Sequence, residues 1–176
     1  MFASKKLHDG GIEVPLNKFN DRFQQMMKTK LVELRREASL KLSKAHDDLA
    51  REGNVSASSE ARLQNEVSLH LLKQIISAIL ESQRELISSH EISFSDALAT
   101  DLKNQMKTYV SPKWCEELCR VKTRGISQQH SARLKEEVHV NRSFFLKRAE
   151  AQIDLFVDAL RKKRPNESVS PPKEVA

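Results

Sequence analysis

A chain of 176 residues, 39% hydrophobic and 31% charged, has the length and apolar content for one ordinary domain with a core of its own. Its four glycines include one adjacent pair, Gly10 and Gly11, and two isolated ones, so the chain holds no glycine-rich phosphate loop and no dinucleotide fingerprint. The net charge of +6 is concentrated: residues 111–164 carry 13 basic and 7 acidic side chains, whereas residues 56–110 carry 5 and 7.

Few chain breakers among many Leu, Ala, Glu, Lys and Arg residues favour long helices over strands. The first residues, MFASKKLHDGGIEVPL, lack the apolar run of a secretory signal, and residues 1–15 read as a flexible segment. After Pro15 a first helix is marked by Phe19, Phe23, Met26, Leu34, Ala38, Leu42, Ala45 and Leu49, spaced by three, four or their sums. Asn17 is its expected N-cap, and Gly53 or Asn54 its left-handed terminator. A Ser-rich link at 54–59 leads to a second helix, read from Leu63 through Ile87. This helix is apolar around more than half its girth, the pattern of a central, buried element. Two amphipathic neighbours would leave part of that girth uncovered, so self-association through the second helix is expected.

Phe94, Leu98, Leu102, Met106 and Val110 recur every four residues and mark a third, shorter helix. Ser111-Pro112 ends it and starts another, because Pro disfavours a helix interior but suits a first turn. This short helix is expected to run to about Arg124, closed by Gly125. Ser127 then caps a last helix, with Leu134, Val138, Phe145, Ala149, Ile153, Phe156 and Leu160 on its apolar face, continuing to RKKR at 161–164. Residues 165–176, polar and Pro-rich, read as a disordered tail. The expected architecture is all-α: one domain over 16–164, an elongated bundle of four long helices plus one short helix. The longest strongly apolar run, IISAIL at 75–80, falls far short of the roughly 18 residues that span a bilayer. No membrane partner is expected. Two cysteines without a disulfide framework fit a reducing compartment, so the expected location is cytoplasmic.

Four constellations are candidates for chemistry. Cys115 and Cys119 share a helical face beside Trp114 and Leu118, with His130 and His139 as conceivable complements of a metal site. The simpler reading makes them small hydrophobes packed at a helix break. Glu136-x-x-His139 has the spacing of a di-iron bundle motif, but the chain holds no second copy. No metal and no cofactor is expected. An Arg followed by His after five intervening residues occurs at Arg84 and His90, Arg124 and His130, and Arg133 and His139. The first, RELISSH, resembles the motif of helical ribonucleases of the HEPN group, in which an Arg and a His late in a bundle helix serve RNA cleavage. The resemblance covers seven residues, with Glu85 where that group places Asn, Asp or His, and it implies Arg84 and His90 as catalytic candidates. Finally, Arg120, Lys122, Arg124, Arg161, Lys162, Lys163 and Arg164 are candidate phosphate contacts. Aromatic residues interleaved for base stacking are lacking. The expected function is a non-catalytic helical interaction or scaffold module that forms homo-oligomers. The alternative is nucleic-acid binding through the basic C-terminal helix, including ribonuclease activity.

Overall fold

A computed structural model describes residues 16–89, 97–118 and 125–163. They form five helices and no strand: α1 (Leu16–Arg51), α2 (Ala57–Ser89), α3 (Leu98–Tyr109), α4 (Pro112–Leu118) and α5 (Gln128–Lys163). The all-α class expected from composition holds. The expected segments at 1–15 and 165–176 lie outside the described residues.

The helix inventory differs from expectation. Only α1, α2 and α5 are long, at 36, 33 and 36 residues, while α3 has 12 and α4 has 7. The fourth place in the bundle is taken by α3 and α4 together. As the chain advances through Lys103, Lys107, Val110 and Glu116, its contacts on α5 step back through Asp154, Glu150, Arg142 and His139. The pair is therefore one broken rod antiparallel to α5. The break sits where the sequence places it: the Ser111 hydroxyl accepts the Trp114 backbone N–H at 3.3 Å and Pro112 opens α4.

The other ends follow equally local rules. Gly53 adopts φ 70°, and the N–H groups of Gly53 and Asn54 close onto the Ala50 and Leu49 carbonyls at 3.2 and 3.1 Å, a Schellman ending. α2 begins inside the Ser-rich link, six residues before the expected Leu63. Ser56 caps it: its hydroxyl accepts the Ser59 N–H at 3.1 Å while the Ser59 hydroxyl accepts the Ser56 N–H at 2.9 Å. Ser127 caps α5 by accepting the His130 N–H at 3.2 Å. α1 starts at Leu16, so Asn17 lies inside its first turn and is not the N-cap.

α2 is the axis of the molecule, packed by α1 on one side, α5 on another and the α3–α4 rod between them. Leu71, Leu72, Ile75, Ile76, Ile79, Leu80, Leu86 and Ile87 are all buried within this single chain. Part of the α2 girth that the sequence reading left to a second copy is thus covered within the chain, while Val67 and Leu69 stay half-buried. The broken rod supplies the third neighbour that the sequence reading lacked.

Candidate functional site

The corner between α3 and α4 is built around Arg142 of α5. Its Nε donates to the Val110 carbonyl at 2.8 Å, satisfying an acceptor that the Pro112 break would otherwise orphan. The same guanidinium lies beside the Cys115 thiol, which is fully buried. Burial pushes that thiol up from its ordinary 9.0 to about 11, against the opposing pull of Arg142. A thiol held protonated is the reverse of an activated nucleophile. Trp114 and Leu118 pack against the core next to Cys115, and Tyr109 meets Phe23 edge-on at 5.8 Å between ring centroids. Burial also raises the Tyr109 phenol, with Arg35 opposing. Cys115 packs as the apolar residue that the spacing suggested, while Cys119 lies outside the described residues.

The metal-type spacings do not converge. His139 Nε2 stands 3.5 Å from Glu116 of α4, bridging helices at the surface. His130 sits in the first turn of α5. Among the described residues, no group of three or more His, Cys, Asp and Glu side chains is placed to hold an ion.

Of the ribonuclease pair, Arg84 lies on α2 with its guanidinium 5.7 Å from the Phe156 ring centroid, a cation–π contact that ties α2 to α5. His90 lies outside the described residues, as do the candidate phosphate contacts Arg120, Lys122, Arg124 and Arg164. Lys163 is the last residue of α5, and Arg161 and Lys162 are exposed beside it.

Sequence reasoning missed a set of buried amides. Asn65 is 1% exposed and donates from Nδ2 to Glu137 Oε2 at 2.9 Å. Gln83, also 1% exposed, donates from Nε2 to the Leu102 carbonyl and to Gln105 Oε1, both at 3.0 Å. Gln105 passes the chain on to Asn20 Oδ1 at 2.9 Å, so one amide relay joins α2, α3 and α1. The only hint in the sequence was a polar residue on the apolar face of a central helix.

Two surfaces remain. On α5 the face turned away from the core exposes Val140 at 57%, Phe144 at 59% and Leu155 at 71%, with exposed Ala151 between them. These positions recur at four, seven and four residues, which keeps them on one stripe. Exposed Arg133, Lys147, Arg148 and Lys162 border it. Along the α1–α2 seam runs an open groove in two sections of about 360 and 270 Å³ that meet at His70. Its floor is Leu34, Ala38, Leu63, Val67 and Ala78.

With that geometry in view, comparison with protein families, curated proteins and solved structures finds no match to this chain.

Proposed function

We propose that the protein is a non-catalytic helical interaction module whose binding face is the outer stripe of α5. The observation that carries this reading is that three large apolar side chains, Val140, Phe144 and Leu155, stand more than half exposed on one face of an otherwise core-forming helix. An exposed large apolar row costs free energy in water unless a partner covers it, at roughly 25 cal/mol per Å². A second reading, nucleic-acid binding, draws on the exposed Arg133, Lys135, Lys147, Arg148 and Lys162 along the same helix.

One experiment separates the two. The tagged full chain is recovered from its own cells at low and high salt, alongside a variant carrying Phe144→Asp and Leu155→Asp. An apolar interface keeps its partner as salt rises and loses it in the variant. A phosphate interface loses its partner steeply with salt and tolerates the variant. Recovery of the same salt-resistant partner by both proteins would overturn the α5 reading.

A further inference from the structure

We propose that the α5 stripe takes an amphipathic helix of another protein, one whose apolar row is flanked on both sides by Asp or Glu. This rests on α5 being the binding face and adds the chemistry of what covers it.

The shape of the stripe selects a helix. Val140, Phe144, Ala151 and Leu155 are an i, i+4 pair repeated after eleven residues. Eleven residues close three turns at about 3.67 residues each, so the row barely drifts around the helix axis. At 3.6 residues per turn its four positions stay within a sector of about 60°. A row so narrow and straight matches one edge of a second helix, not a broad surface. Phe144 and Leu155, 59% and 71% exposed, are large side chains about 16 Å apart along the axis. Between them the single methyl of exposed Ala151 leaves a notch, where a large apolar side chain of the partner seats.

Charge selects the acids. Lys147 and Arg148 are exposed beside the notch, about 60° to one side of Phe144 and about 40° to the other. From Val138 to Val157 the acids of α5 are Glu150 and Asp154, each bridged to a lysine of α3: Lys107 at 2.8 Å and Lys103 at 2.5 Å. Those two pairs cancel, which leaves the middle of the stripe positive on both flanks. Within the same sector Arg133 and Glu137 precede the row and Asp158 and Lys162 follow it, one charge of each sign at either end. The same arrangement disfavours the stripe of a second copy. Aligned antiparallel, Val140 meets Leu155 and Phe144 meets Ala151, but Lys147 then meets Arg148 and Arg133 meets Lys162. Aligned parallel in register, each basic residue meets itself. Like charges set against each other across an interface cost affinity, so the partner is acidic and foreign.

Three synthetic peptides of about 22 residues, long enough to hold a helix on docking, test this by fluorescence anisotropy on the full chain. All carry Leu in the four, seven, four spacing of the stripe, and the flanking positions are Glu, Gln or Lys. The Glu peptide is expected to bind saturably and at least about tenfold more tightly than the Lys peptide, with Gln between. Lys147→Glu with Arg148→Glu inverts that order, and Phe144→Asp with Leu155→Asp removes binding of all three. Far-UV circular dichroism confirms helicity for each variant. Equal binding of the Glu and Lys peptides overturns the inference, as does an order that charge reversal leaves unchanged or Glu-peptide binding that survives the Asp variant. A wild-type dimer in sedimentation equilibrium that the Asp variant abolishes overturns it in favour of a second copy. A single-stranded RNA oligomer bound in place of the Glu peptide, and released by the charge reversal, overturns it in favour of nucleic acid. If no peptide binds, the acidic-helix chemistry falls. Should the cellular partner still be lost on Phe144→Asp with Leu155→Asp, α5 nevertheless stands as the binding face.

Discussion

The two halves of α1 live in different surroundings although they read alike in sequence. Toward its N-terminal end Phe23 and Met27 are fully buried, because α2 lies on one side and α3 closes the other through the Phe23–Tyr109 ring contact and the Asn20–Gln105 amide bond. Toward its C-terminal end Leu42, Ala45 and Leu49 continue the same stripe, yet all three are only half-buried. There α1 rests on α2, tied at its end by His46 Nε2 and Glu60 Oε1 at 3.0 Å. Hydrophobic spacing sets which face of a helix turns inward. How deeply that face is buried depends on how many neighbours reach it.

The sharpest way to break this comparison is truncation at the two ends. Phe23→Ala or Met27→Ala is expected to cost about 3–5 kcal/mol, since each empties a site closed on all sides. Leu42→Ala is expected to cost about 1 kcal/mol, because a half-buried side chain loses less contact and leaves no cavity. Urea midpoints at constant m-value measure both. Equal losses at the two ends would end the distinction.

Alkaline titration tests the corner where α4 meets α5. Burial raises the Cys115 thiol from 9.0 to about 11, so the folded protein holds its proton where the unfolded chain has released it. The stability this represents is complete below pH 9 and is lost as pH climbs through 11. Burial of Tyr109 acts in the same direction, from its ordinary 10.0 upward. Cys115→Ala is therefore expected to flatten the fall in stability between pH 9 and 11, with Tyr109→Phe removing the remainder. An unchanged profile in both variants would show that the corner is wetter than its geometry indicates.

The smallest effects concern the buried amides, one at each end of α2. Asn65 Oδ1 and Gln83 Oε1 are both buried without a hydrogen-bond partner among the described residues, so each amide gives back part of what its donor gains. Asn65→Leu and Gln83→Leu are each expected to change stability by less than about 1 kcal/mol. If Gln83→Leu cost several kcal/mol and Asn65→Leu nothing, the relay to Asn20 would be what holds the closed end together.

Much of this architecture was legible in residue patterns because its causes are local. The Schellman ending at Gly53, the caps at Ser111 and Ser127 and the break at Pro112 involve atoms within a few residues of one another, and all four positions stood out in sequence. The start of α2 was misplaced because a Ser-rich stretch reads as a linker, and only the mutual Ser56–Ser59 bonds show it closing a helix. The packing of Cys115 was readable, but its neighbour Arg142 was not, since 27 residues separate them in the chain.

Sequence alone determined the all-helical class, the apolar stripes and several of the places where helices begin and stop, because dihedral preference and capping act over one turn. Tertiary structure decided which stripe was covered and which was left bare. α2 had looked too apolar for two neighbours to bury, yet α3 and α4 align into a single rod that covers more of it. The α5 residues Val140, Phe144 and Leu155, unremarked within a helix that already had a good inner face, were left in water. Burial is a property of how many elements converge on a position, and that number is set by contacts between segments far apart in the chain.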